Sequence, residues 1–87
     1  MVPGFNTNFS WREQTYHIQT EDVDRDDPHI LTVAYRGGAV VARIKTPYRE
    51  LLGPDPSPQA VRTLIVRQHR QVIADIQAGN IEGEAAR

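Results

Sequence analysis

Gly37 and Gly38 stand between two runs rich in apolar residues, His29 to Tyr35 and Ala39 to Lys45. A two-residue primed turn needs positive φ at its central positions, which glycine adopts at no steric cost. The pair therefore predicts an antiparallel hairpin, and that hairpin sets the register of what surrounds it. Counting outward from the turn, Tyr35 faces Val40, Val33 faces Ala42, and Leu31 faces Ile44 on one side. Ala34 faces Val41, Thr32 faces Arg43, and Ile30 faces Lys45 on the other. The first set reads as the core face, because a one-residue slip would carry every apolar partner into water.

Upstream, Phe5 to Trp11 alternates large and polar residues, and Thr15 to Thr20 alternates again after a polar turn. Tyr16 and Ile18 extend the expected core face beside Val33 and Leu31, while His17 and Gln19 join Thr32 and Arg43 on the outer face. Downstream, Thr46-Pro47 has the form of a helix start, Tyr48 to Leu52 fill one or two turns, and Gly53 stops them. Ser57-Pro58 repeats that start for a long helix over about 58–78, closed by Gly79-Asn80. Val61, Ile65, Val72 and Ile76 form its apolar stripe, with Leu64 on one flank and Val66 and Ile73 on the other, free to serve a second partner. The expectation is one α+β domain over 1–80: a four-stranded antiparallel β-meander packed against one long C-terminal helix, with a short helix between. Residues 81–87 read as a frayed tail.

A domain of 87 residues buries a modest core, so a leftover sheet face is a candidate for self-association. There is no cysteine, which removes disulfides and thiolate metal sites and suits a reducing cytoplasm. No apolar run has the ~20 residues of a membrane span, and the first ten residues lack a secretion-signal pattern. Asn8-Phe9-Ser10 matches a glycosylation sequon that means little without secretion. The net charge of −1 conceals a polarity. Residues 13–27 carry six acids against Arg25, and residues 36–70 carry seven bases against Glu50 and Asp55. Such a distribution steers a partner or a second copy.

The acidic run Glu21 to Pro28 places Asp22, Asp24 and Asp26 at the alternate spacing that opens a calcium loop. Such a loop also needs glycine at position six and glutamate at position twelve, where this chain has Asp27 and Val33. The run reads instead as a solvated connection whose charges discourage edge pairing. His17, His29 and His69 show no ligand spacing, and His17 and His29 are expected on opposite sides of the sheet, so no metal or cofactor is expected. His69 interrupts the helix's apolar stripe, as a partly buried histidine bonded to a neighbour would. Ser10, His17 and the loop aspartates can be written as a triad, but Ser10 sits in no nucleophile elbow, and no enzymatic activity or small-molecule substrate is expected.

Two binding classes remain. A small protein-interaction or regulatory module, acting as a homodimer, would use the outer face (His17, Gln19, Ile30, Thr32, Val41, Arg43, Lys45) or a sheet edge. The alternative is a nucleic-acid binder using Arg43, Lys45, Arg67 and Arg70. It lacks the exposed aromatics of RNA-reading sheets, since Tyr16 and Tyr35 are assigned to the core.

The segments GFNTNFSWREQTYHIQTED, PHILTVAYRGGAVVARIKTPYRELL and VRQHRQVIADIQAG together resemble a group of short bacterial proteins. That group shares an FNTN segment, an aromatic-His-(Ile/Val)-Gln-Thr-Glu-Asp stretch, a Gly-Gly hairpin and a QH helix. The resemblance implies a bacterial cytoplasmic source and a variable loop after Asp22. The group has no settled activity, so it assigns no site.

Overall fold

A computed structural model of the chain describes residues 2–23 and 25–81. It is the α+β architecture expected: strands β1 (Phe5–Trp11), β2 (Gln14–Val23), β3 (His29–Arg36) and β4 (Ala39–Pro47), then helices α1 (Arg49–Leu52) and α2 (Pro58–Gln77). The strands form one antiparallel sheet in the order β1-β2-β3-β4. Gly37 and Gly38 make the β3–β4 turn with φ of 57° and 88°. The β1–β2 turn is built from Arg12 and Glu13 at φ of 52° and 65°, a conformation that costs a side-chain-bearing residue energy.

Ser57 caps α2 by accepting the Ala60 N–H at 3.1 Å, and Pro58 follows at the first helical position. The smaller helix departs from its expected start. Thr46 and Pro47 continue β4, α1 begins at Arg49, and no side chain caps it. Thr46 uses its hydroxyl elsewhere, as a donor to the Gln68 side chain.

The decisive departure is in the register. Tyr35 pairs with Val40 as expected, but Ala34 pairs with Ala42, leaving Val41 as an extra residue in a β-bulge. Beyond the bulge every β3 residue meets a β4 residue one position later than the turn alone dictates. Val33 faces Arg43, Thr32 faces Ile44, and Leu31 faces Lys45. The face covered by α2 therefore carries Ile30, Thr32 and Ala34 from β3, all fully buried, beside Ile18 and Thr20 from β2. Leu31, Val33 and Tyr35, expected in the core, emerge on the opposite side. On β2 and β4 the inward residues Tyr16, Ile18, Ala42 and Ile44 are those expected.

The core lies in two pieces. Toward the C-terminal end of α2, Val72 and Ile76 pack with Tyr16, Ile18, Ala34, Val41 and Ala42, and Ile73 and Ile81 cover the margin. Toward its N-terminal end, Val61 and Ile65 pack with Ile30 and Tyr48, flanked by Phe5 and Leu64. So Ile81, assigned to a free tail, is partly buried, and residues 82–87 lie outside the described residues.

Between the two pieces runs a buried polar belt drawing one threonine from each strand. The His69 imidazole, 4% exposed, meets Thr7 through Nε2 and Thr20 through Nδ1, each at 2.8 Å. The Thr20 and Thr32 hydroxyls are 2.7 Å apart, and Gln68 donates to Thr32 at 2.9 Å and to the Ile44 carbonyl at 3.2 Å. Carbonyl oxygens only accept, which fixes the Gln68 amide nitrogen inward and its oxygen toward Thr46. Passing protons from Gln68 to Thr32, to Thr20 and to Nδ1 of His69 lets each of these hydroxyls donate and accept once. It leaves the Nε2 proton for Thr7. No buried side-chain polar atom of the described residues lacks a partner.

Candidate interaction surface

α2 packs across β2, β3 and β1, and among the described residues no element packs on the opposite face of the sheet. The strand pairings order the residues of that outer face in rows. One row reads Glu21, Leu31, Lys45 across β2, β3 and β4; the next reads Asn6, Gln19, Val33, Arg43; the third reads Asn8, His17, Tyr35, Val40. An apolar spine of Leu31, Val33 and Tyr35 thus runs along β3, with polar groups on β1 and β2 and bases on β4.

Local bonds hold these side chains in place. Nδ1 of His17 donates to the Asn8 side-chain carbonyl at 2.6 Å, and the ring sits 5.8 Å from that of Tyr35. Gln19 donates to Glu21 at 3.0 Å, which leaves its carbonyl oxygen facing outward as an acceptor. The Lys45 ammonium pairs with Asp27 at 3.2 Å, both ends largely in water, a geometry that contributes little to stability. Val33 is only 9% exposed, whereas Val40 beside the turn is 41% exposed.

Of the seven residues expected on this surface, His17, Gln19, Arg43 and Lys45 are there, and His17 and Gln19 are half-buried. Ile30, Thr32 and Val41 are not. The bulge turns Ile30 and Thr32 under α2 with no exposure, and Val41 packs in the core at 3%. In their place come Glu21, Leu31, Val33 and Tyr35, which the unbulged register assigned elsewhere or left unassigned. The four bases of the nucleic-acid reading do not form one surface. Arg43 and Lys45 lie on the outer sheet face, while Arg67 and Arg70 lie on the solvent side of α2 across the molecule.

The acidic segment is partly absorbed by the fold. β2 runs on through Val23, and Asp22 accepts the Tyr48 hydroxyl at 2.6 Å and the Val2 N–H at 3.0 Å. Burial first, then the hydrogen bond to Asp22 and its negative charge, push the Tyr48 phenol up to about 12. Arg49 donates to the Asp26 carbonyl at 2.7 Å. Asp24 lies outside the described residues. Among those described, no three potential metal-ligating side chains converge. His17 and His29 both occupy outward positions of their strands, contrary to expectation, and the His29 ring donates to the Asp27 carbonyl at 2.7 Å. His69 is inside, and burial lowers its pKa below the usual 6.5.

Comparison with protein-family models, curated proteins and solved structures returns no match.

Proposed function

We propose that this chain is a small non-enzymatic protein-interaction module that acts as a cytoplasmic homodimer through its outer sheet face. The observation that carries the reading is the spine of Leu31, Val33 and Tyr35, an apolar line bordered by hydrogen-bonding and charged groups on a face that α2 does not cover. An apolar centre inside a polar border is the composition of a protein interface. The three strands that carry the spine and its borders, β2 to β4, with their ~26 Å length give a footprint of roughly 370 Å² per copy, or about 750 Å² in total. That lies below the ~1,200 Å² at which stable specific interfaces begin and suits a weak, reversible dimer. The β4 edge is a poorer route, since a two-fold antiparallel pairing centred on Ile44 sets Arg43 opposite Lys45 of the second copy, like charge against like.

Sedimentation equilibrium of the full chain tests the reading. Dimerisation of the wild type and its loss in Val33→Asp, with the circular dichroism spectrum kept, support it. A wild type that stays monomeric through millimolar concentration overturns it.

One observation favours the nucleic-acid reading: Tyr35 stands on the outer face beside His17, with Arg43 in the adjoining row. A single tyrosine is a small stacking platform, and Glu21 shares the face. Salt-dependent binding of single-stranded RNA that Tyr35→Ala abolishes would make that reading the better one.

A further inference from the structure

If the outer face is a dimer contact, as proposed above, its rows dictate how the two copies sit. Across the face the order is acid or acceptor on β2, apolar on β3, base on β4: Glu21, Leu31, Lys45 in one row and Gln19, Val33, Arg43 in the next. A face-to-face dimer has its two-fold axis in the plane between the sheets, and two orientations are simple. With the axis along β3, the β2 of one copy lies over the β4 of the other. Leu31, Val33 and Tyr35 then meet their own copies, Glu21 meets Lys45 of the second copy, and the outward carbonyl of Gln19 meets Arg43 of the second copy. With the axis across the strands at the Val33 row, Arg43 lies over Arg43 of the second copy, and Lys45 over its Val40. Like charges opposed in an interface are strongly unfavourable. That second orientation does set Glu21 over His17 of the second copy, but only the first gives both β4 bases, Lys45 and Arg43, an acid or acceptor opposite them.

We infer that the homodimer is a face-to-face sheet sandwich whose two-fold axis runs along β3, with Glu21–Lys45 pairs between copies as its specificity determinants. The twist of each sheet rotates the mean strand directions by about 30°, and the axis bisects that angle. The four layers are then α2, sheet, sheet and α2. Both charged groups are available for this role. Glu21 is exposed, one of its oxygens holding Gln19 and the other remaining for a cation, and Lys45 is exposed with two protons beyond the one directed at Asp27.

Complementary charge reversal tests the axis. Glu21→Lys alone puts two lysines in contact with two lysines, and Lys45→Glu alone opposes glutamates, so each variant by itself is expected to dimerise on the order of tenfold more weakly than wild type. Mixed in equal amounts, the two form heterodimers in which both contacts are attractive, and the double variant Glu21→Lys/Lys45→Glu regains the homodimer. Native mass spectrometry with one variant isotope-labelled counts the mixed species, and circular dichroism checks each fold. Should either single variant unfold, Glu21→Gln and Lys45→Gln replace the reversals, each expected to weaken dimerisation severalfold. A wild-type dimer that both single variants leave unchanged, or that mixing fails to restore, overturns the axis while leaving the interaction module standing. A monomeric wild type removes both, and a dimer cross-linked only through α2 or a sheet edge removes the axis and the face together.

Discussion

Thr20 and Thr32 face each other across β2 and β3 with their hydroxyls 2.7 Å apart and neither side chain exposed to water. The pair joins His69 to Gln68 through the sheet, so each hydroxyl has a partner on the helix as well as on the neighbouring strand. Thr20→Val keeps the shape but strands Nδ1 of His69 and removes the acceptor for Thr32. The expected cost is about 1–3 kcal/mol. The double variant with Thr32→Val should cost less than the sum of the singles, because the Thr20–Thr32 bond can be lost only once. Urea denaturation of the four proteins measures both quantities.

The same belt makes stability respond to acid. Burial lowers the His69 pKa in the folded chain, so between the lowered value and the unfolded value near 6.5 only the unfolded state binds the proton. The contribution of neutral His69 is complete above pH 6.5 and is lost as pH falls through its folded pKa. Protonation also turns Nδ1 into a donor, and the reversed chain would leave the Thr32 proton without an acceptor in the belt. The groups facing the imidazole from β1 and β2 are Phe5, Thr7 and Thr20, with Arg62 of α2 stacked 5.3 Å above the Phe5 ring. None of these threonines or the phenylalanine titrates, so no nearby carboxylate rescues the charged form. Denaturation midpoints from pH 8 to 4 should fall earlier for wild type than for His69→Gln, which hydrogen-bonds but does not titrate.

At the alkaline end Tyr48 has the opposite effect. Its phenol is held up to about 12 in the fold against 10.0 when free, so stability is complete below pH 10 and falls as pH rises from 10 toward 12. Tyr48→Phe removes that limb and takes one donor from the Asp22 carboxylate, at an expected cost of about 1–2 kcal/mol at pH 7. Ultraviolet titration of the phenolate in wild type and variant identifies the group.

The β1–β2 turn holds Glu13 at φ of 65°, where a side chain is strained and glycine is not. Glu13→Gly should stabilise by about 1 kcal/mol, seen as a rise in melting temperature. Gly4 is the reverse case: a Cβ there would collide with the Thr20 backbone carbonyl. Gly4→Ala should displace the N-terminal segment and with it the Val2 bond to Asp22. A drop in amide protection at Val2, read by hydrogen exchange, checks it.

Local chemistry carried most of the fold. The Gly37-Gly38 turn, the Ser57-Pro58 helix start and the stripe of Val61, Ile65, Val72 and Ile76 each have a residue that acts on its own neighbours. The bulge at Val41 has no such residue. Ala39 to Ala42 are small or apolar on both faces, so nothing in that run marks which one is extra. β3 is equally silent, because Ile30, Leu31, Val33, Ala34 and Tyr35 make both phases apolar and alternation selects neither. That is why Ile30 and Thr32 were expected outside and Val33 inside. One signal pointed the right way. A histidine inside an apolar helix stripe needs polar partners on the surface it covers, and Thr20 and Thr32 supply them only if the second phase of β3 faces α2. Long-range demand, rather than local preference, settles the face.

The belt also gives α2 an address along the sheet. An apolar stripe alone has several nearly equivalent seats, since sliding by one turn of about 5.4 Å brings Ile65 to where His69 had been and still sets hydrocarbon on hydrocarbon. Gln68 and His69 have no such freedom. Moved one turn either way, they leave the threonines for Ile18 and Ala34 or for Ile30, side chains that offer no hydrogen bond. The greasy parts of the helix decide that it adheres, and two polar side chains decide where it stops.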